Sequence, residues 1–214
     1  IFVPAGWPAT KGLKLTEPLD TVVGYTDTLL ERHNALEETV NNFYADAIRY
    51  VANADFGITN GFRFDIPVAP GPVTLADIYY YFPITPAVSV AEFTGSQIVR
   101  RVNDNLNAVF SRNPYQVREG YVIGVSKNLR VTTDLNNNPT TPTSSRTTKV
   151  EVLDEATGTW KPIVYDKVYT MASCYSHGDP IDRVCRTDGG RNTLFATPSG
   201  SSIVDASTAL LLAA

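Results

Sequence analysis

Apolar residues recur at the helical period through Leu36, Val40, Phe43, Tyr44, Ala47, Ile48 and Val51, and Asn34 stands three residues before Glu37 in a capping-box arrangement. The pattern predicts an amphipathic helix that starts at Asn34, buries that stripe, and leaves Glu38, Asn41 and Arg49 on other faces. A short apolar run at 55–59 then leads into Asn60-Gly61-Phe62-Arg63, read as strand, turn and strand. Thr74 with Asp77 predicts the cap of a short helix through Tyr79, Tyr80 and Tyr81, stopped by Pro83. Val88, Val90 and Phe93 alternate with Ser89 and Glu92 as one strand. Thr94-Gly95 opens a second amphipathic helix carrying Ile98, Val99, Val102, Leu106, Val109 and Phe110.

The second half is richer in strand. Residues 120–125, 129–133, 149–153 and 163–173 are β-branched or aromatic and bounded by turn residues, and Glu155-Ala156-Thr157-Gly158 reads as a hairpin tip. The expected fold class is α+β, a mixed sheet packed with two main amphipathic helices. Residues 1–20, rich in Pro and Gly without a sustained period, read as an extended arm or interdomain connector, and 21–214 as one domain. Within that domain 136–148, a Thr/Asn/Pro/Ser stretch, is expected to form an exposed loop. No repeat of 20 to 50 residues is visible, which disfavours solenoids and propellers.

Charge narrows the function classes. Eighteen basic against 22 acidic residues in 214, with no block of like charges, leave no footprint for nucleic acid or an anionic membrane. The longest nearly uncharged stretch, 66–90, is broken by Pro67, Pro70, Pro72, Pro83 and Pro86, so no membrane span is expected there. The chain opens Ile-Phe-Val-Pro, without an initiator Met or a basic region before an apolar run, and is expected to be a processed product or fragment. Sparse Lys, one Met and abundant Thr, Asn, Pro and Tyr suit a secreted or cell-surface protein.

Candidate chemistry is sparse. The two histidines, His33 and His177, set a low ceiling on acid–base and metal work, and no H-E-x-x-H, G-x-S-x-G, Walker A or C-x-x-C occurs. His33 is expected to be an exposed residue at the approach to the first helix. Cys174 and Cys185 are the only cysteines; in an exported protein the simplest expectation is a disulfide, with free thiols or a metal site shared with His177 and Asp179 as the alternatives.

Several motifs occur in a telling order: 42–48 (Asn-Phe-Tyr-Ala-Asp-Ala-Ile), 59–63 (Thr-Asn-Gly-Phe-Arg), 71–77 (Gly-Pro-Val-Thr-Leu-Ala-Asp), Phe93-Thr94-Gly95 before a helix, and 169–173 followed by Gly178-Asp179-Pro180-Ile181. In that order they resemble the C-terminal domain of the 5'-nucleotidase superfamily, from about Leu19 to Arg186. In that family an N-terminal metallophosphatase domain carries a two-metal centre and the C-terminal domain supplies the substrate pocket. With two histidines and neither the D-x-H nor the G-N-H-E signature, this chain is not expected to build the metal centre. The resemblance therefore implies a domain without cofactor and without catalysis of its own, partnered by the metallophosphatase domain.

The resemblance also assigns residues. Arg63 falls where the family's pocket arginine binds the substrate's anionic group, a task suited to a forked guanidinium. Asp179 falls where an Asp holds ribose hydroxyls, and Asn60 near a base-contacting Asn; Phe62 and His177, beside them, complete the candidate binding set. The two aromatic clamp positions of nucleotidases fall near Ile84 and Ser173, neither aromatic, and a second basic pocket residue would fall at Leu36. The runs 61–64, 81–85 and 178–182 are more similar to SoxB-type sulfur-oxidation hydrolases, which implies a small anionic substrate and a periplasmic or extracellular setting. Two functions follow as expectations: the substrate-recognition domain of an exported phosphoesterase or thiosulfohydrolase, or an extracellular structural protein that keeps the fold and assembles with copies of itself.

Overall fold

The computed structural model describes residues 18–33, 36–60, 66–82, 87–137, 145–175 and 191–195. In chain order the elements are β1 (Val22–Thr26), α1 (Thr39–Ala52), β2 (Phe56–Thr59), β3 (Gly71–Thr74), α2 (Leu75–Tyr81), β4 (Ala87–Thr94) and α3 (Gly95–Val109). A 3-10 turn at Pro114–Gln116 leads on to β5 (Gly124–Val125), β6 (Leu129–Thr133), β7 (Thr147–Asp154), β8 (Thr159–Pro162), β9 (Val168–Tyr175) and β10 (Arg191–Phe195). The architecture is the expected α+β one with a mixed sheet.

Five strands in the order β10-β4-β9-β2-β5 form the central sheet; β6-β7-β8 form a three-stranded sheet and β1 pairs with β3. Within the central sheet β2 runs parallel to β9, with Phe56 opposite Met171 and Gly57 opposite Ala172, while the other pairings are antiparallel. Alternation of side chains along β4 and β9 divides the core. Val88 and Ala172 join Tyr44 and Ile48 of α1 and Ile78 and Tyr81 of α2 on one face. Phe93, Tyr169 and Met171 join Phe56, Ile98, Leu106 of α3 and Leu129 and Val150 of the small sheet on the other. Both faces of β4 and β9 are thus covered, so Ser89, which shares a face with Ala91 and Phe93, is fully buried, as is Ser173 beside it.

Local chemistry sets the helix boundaries. α2 and α3 each start in a complete capping box, Thr74 with Asp77 and Thr94 with Gln97, in which hydroxyl and backbone N–H groups are satisfied reciprocally. α1 differs from the expectation. It starts at Thr39, not Asn34, with Glu38 as N-cap and no side-chain cap. Its first turn is tied instead to the preceding segment: the Thr39 hydroxyl donates to the Leu29 carbonyl at 2.8 Å and accepts the Glu31 N–H at 3.1 Å. Leu36 consequently lies outside the helix and is 53% exposed, while Glu38 and Asn41, placed by the pattern on other faces, are buried.

The strand expected at 120–125 shortens to Gly124–Val125, and that at 163–173 begins only at Val168, because Ile163 is still bonded to Val150 and Tyr165-Asp166-Lys167 turns the chain. The hairpin tip at 155–158 is present, with Gly158 in the left-handed region at φ +69°. Of the loop expected at 136–148, residues 138–144 lie outside the described residues; Thr147 and Thr148 already belong to β7. Arg146 is buried, donating through Nη2 to the Phe110 carbonyl at 2.7 Å and through Nη1 to the Leu135 carbonyl. The arm at 1–17 lies outside the described residues.

α1 lies directly on β2. A Cβ on Gly57 would stand 1.8 Å from the Ala45 carbonyl oxygen and 2.8 Å from its carbonyl carbon, backbone atoms that cannot yield. Gly57→Ala is therefore expected to lower unfolding stability by roughly 2–3 kcal/mol, while Gly24→Ala, with open space around it, costs about 0.5 kcal/mol or less. Urea denaturation checks both; equal midpoints for the two variants would contradict the packing described.

Candidate functional site

The strands that precede the candidate segments in the chain, β2 and β9, end at one end of the central sheet. Because β2 and β9 are parallel neighbours, both run toward that end, and continuing their register sets Asn60 level with Tyr175. The chain passes from Asn60 into 61–65, which contain Phe62 and Arg63, and from Tyr175 into 176–190, which contain His177, Asp179 and Cys185. The segments carrying Arg63 and Asp179 therefore leave from neighbouring strands at the same end, the place where α/β sheets with parallel strands build their crevices. Arg63, Phe62, His177, Asp179 and Cys185 themselves lie outside the described residues, and the expected Cys174–Cys185 bridge with them. Cys174 lies in β9 opposite Val88. Asn60 is buried directly after β2, and His33 is exposed, as expected.

Next to Asn60, where β2 ends, lies a polar cluster that the hydrophobic pattern did not single out. Arg32 is 2% exposed. Its Nε donates to Asn41 Oδ1 at 3.0 Å, Nη1 to the Tyr81 carbonyl at 2.8 Å and Nη2 to the Asn60 carbonyl at 3.2 Å. The guanidinium carbon sits 4.9 Å from the centre of the Phe82 ring, which in turn packs on Tyr44 at 4.4 Å between centroids. Asn41 Nδ2 donates to Glu38 Oε2 at 2.5 Å, which places a carboxylate next to the cation's partner. The signal for Asn41 was in the sequence: it stands three, four and seven residues before Tyr44, Ala45 and Ile48, on the apolar stripe.

Local structure delivers Arg32 to this point. Leu30 exchanges both backbone hydrogen bonds with Val68, and its carbonyl also accepts from the Tyr81 hydroxyl at 3.2 Å. With Thr39 holding Leu29 and Glu31, the strip 29–31 is fixed on three sides. On the sheet itself, Ser173, where an aromatic clamp would fall, is fully buried; its Oγ has no hydrogen-bond partner among the described residues, and Ser89 donates to its carbonyl at 3.5 Å.

A cleft of about 500 Å³ lies at the opposite end, between Asn53–Phe56 and Lys167–Tyr169. Several of its charges answer one another. Arg49 holds Glu155 through two hydrogen bonds of 3.1 and 2.7 Å, Lys161 holds Asp154 at 2.7 Å, and Asp55 accepts the N–H and hydroxyl of Thr170. Lys167 also lines the cleft, its ammonium 4.7 Å from the centre of the Tyr169 ring. Among the described residues no group of three His, Cys, Asp or Glu is placed to hold a metal, and no helix is long and apolar enough to cross a membrane.

With this geometry in view, the sequence matches the model of the family described as "5'-nucleotidase, C-terminal domain" over residues 21–176. The chain belongs to that family. Among solved structures it is similar to the sulfate thiohydrolase SoxB of Thermus thermophilus, with TM-score 0.69 and 23% identity over 91% of this chain and 32% of that one. It is also similar to a 5'-nucleotidase precursor of the same organism, with TM-score 0.64 and 18% identity over 90% of this chain and 36% of that one. The NAD nucleotidase of Haemophilus influenzae gives TM-score 0.58 and 19% identity over 72% of this chain and 28% of that one. At such identities the likeness is one of fold. The chain spans about a third of the length of these proteins. No curated protein matches it in sequence.

The hydrogen bonds from Lys161 and Arg49 hold the Asp154 and Glu155 carboxyls below the usual carboxylate range. Both groups thus contribute stability that is present above the ordinary carboxylate pKa of the unfolded chain and is lost as pH falls through the lowered folded values. Carboxyl-carbon NMR titration is expected to show both midpoints depressed, and Lys161→Ala to raise that of Asp154 while leaving Glu155 in place. An unmoved Asp154 midpoint would show that Lys161 is not its partner in solution.

Proposed function

We propose that this chain is the substrate-recognition domain of an exported hydrolase of the 5'-nucleotidase and SoxB kind, and that its ligand is a small oxyanion ester, a phosphate ester or a thiosulfonate. The observation that carries the reading is the parallel β2–β9 pair, which sends the segments bearing Arg63 and Asp179 out from one end of the sheet. In this reading Arg63 binds the anion through its forked donors and Asp179 accepts from a hydroxyl or amide of the group attached to it. Asn60, Phe62 and His177 are assigned to the same site.

The buried hydroxyl of Ser173, at a position where nucleotidases place an aromatic ring, favours a compact anion over a nucleoside, since a serine offers no face for a base to stack on. Hydrolysis itself belongs to a metallophosphatase domain outside these 214 residues. The residues here do not suit a two-metal centre: one of the two histidines is exposed at the approach to α1, and the carboxylates of the opposite cleft are engaged by Arg49 and Lys161. The SoxB-like fold and the composition support an exported setting, periplasmic or extracellular.

Calorimetric titration of the chain with thiosulfate and with methyl phosphate is the direct experiment. Binding is expected to weaken at least about tenfold in Arg63→Ala, in line with the loss of a charge-assisted pair worth roughly 1.5–3 kcal/mol. The isolated chain is also expected to show no turnover of phosphate monoesters or thiosulfonates with added manganese or zinc. Equal affinity in Arg63→Ala would overturn the assignment of the anion site. Chelator-sensitive turnover that follows this chain through purification would overturn its non-catalytic role.

A further inference from the structure

We propose that the free edge of β6 is a docking slot for an extended peptide of a partner protein, which joins the small sheet as a fourth strand and lies on α3. The slot concerns the small sheet rather than the proposed anion site, and it stands or falls separately from that site.

Among the described residues β6 is an edge of the β6-β7-β8 sheet. The ladder decides which of its backbone groups are used. Leu153 donates its N–H to the Asn128 carbonyl, and in the same register Arg130 pairs with Glu151 and Thr132 with Lys149, so Arg130 and Thr132 direct their N–H and C=O to β7. Leu129, Val131 and Thr133 turn theirs to the open side. The shift in register after Thr132 keeps this alternation, since Asp134 again donates across the ladder to the Arg146 carbonyl. The Leu129 N–H is taken by the Ser126 carbonyl at 2.9 Å. What remains unpaired along the edge, among the described residues, is the Leu129 carbonyl and both main-chain groups of Val131 and Thr133.

Space for a strand lies beside that edge. A groove of about 610 Å³ runs between β6 and residues 122–127, with Val102 and Leu106 of α3 in its lining. Leu129 and Val131, which pack toward α3, line it together with Thr133 and Leu135. It opens to solvent at Leu36, Thr133 and Leu135, all exposed. The run 120–125 does not fill this place, because only Gly124–Val125 forms a strand and that strand pairs with β2.

These features select the occupant. An apolar small molecule would cover the main-chain groups of Val131 and Thr133 and leave them without partners, which is costly. An extended peptide meets them instead, because its own N–H and C=O recur at the spacing of the ladder while every second side chain falls on the α3 side. Charge narrows the choice further. Arg130 is already held by Glu151 and lies 4.3 Å from the centre of the Trp160 ring, and Glu37, also in the lining, accepts from Asn42 at 2.9 Å. Lys127, exposed at the turn into β6, holds no ion pair among the described residues. The fitting partner segment therefore alternates apolar with polar residues and carries an acidic residue for Lys127.

The test uses an array of acetylated, amidated six-residue peptides in which Val or Leu alternates with Thr and one end carries Asp or, in a matched set, Lys. Binding is expected in the Asp set and weaker by at least about tenfold in the Lys set, and Lys127→Glu is expected to reverse that order. N-methylation of the main-chain amides of the best peptide is expected to abolish its binding. On saturation, amide exchange at Val131 and Thr133 is expected to slow at least about tenfold, while Arg130 and Thr132, already bonded to β7, keep their rates. Val131→Pro and Thr133→Pro remove N–H groups that the β7 ladder does not use, so both are expected to fold and to bind at least about tenfold more weakly.

Absence of binding across the array, binding that survives N-methylation, or protection confined to residues outside 129–133 would overturn the proposal. Equal binding of the Asp and Lys sets would overturn the part given to Lys127. In the free chain Val131 and Thr133 are expected to exchange faster than Arg130 and Thr132, and equal protection of all four would overturn the free edge itself.

Discussion

A single parallel pairing within an otherwise antiparallel sheet governs where this domain can do chemistry. In an antiparallel pair, neighbouring strands deliver the chain to opposite ends; β2 and β9, running the same way with Phe56 against Met171, deliver theirs to one. The connection between these two strands carries α2, β4, α3 and the small sheet, long enough to return the chain to the start of β9, while α1 rests on β2 at Gly57, where no side chain intervenes. The small sheet and α3 then close the other face. With the sheet covered on both sides, its ends are where backbone and polar side chains remain available for a ligand.

The two ends are not equivalent. At the start of β2 and β9, acidic and basic side chains pair off among themselves, Arg49 with Glu155 and Lys161 with Asp154. Around Asn60, at the other end, the buried polar atoms are spent on holding backbone in place: Arg32 on the carbonyls of Asn60 and Tyr81, Asn41 between Arg32 and Glu38. Surface ion pairs of the first kind contribute little net stability, whereas buried charged hydrogen bonds of the second kind are tolerated only when their geometry is satisfied. The contrast explains why a cleft of about 500 Å³ is the weaker candidate despite its charge.

Much of this was legible in the sequence where the signal was local. Thr74 with Asp77 marked the start of α2, Thr94-Gly95 opened α3, and the turn residues at 155–158 marked the hairpin between β7 and β8. The misread features depended on tertiary partners. Asn34 and Glu37 look like a capping box, yet the first turn of α1 is satisfied by Leu29 and Glu31 from a strip sewn to Val68. Glu38 looks solvent-directed until Asn41 and Arg32 are brought beside it, and Asn41 reads as outward for its polarity although its spacing puts it on the apolar stripe. Tyr165-Asp166-Lys167 interrupts a run whose β-branched composition reads as one strand. For the site, the motif order marked the segments that leave one end of the sheet, while Arg32 carried no signal, since a lone Arg in Glu-Arg-His-Asn looks like any solvated residue before a helix.

The central claim, that a small anion is recognised where β2 and β9 end, is tested most directly by mapping backbone amide shifts while thiosulfate is titrated into the isotopically labelled chain. The account predicts saturable shifts concentrated in 59–65, 81–86 and 174–182, with the residues around Arg49 and Lys161 unmoved. Shifts centred instead on 49–55 and 154–167, or spread without saturation, would contradict it.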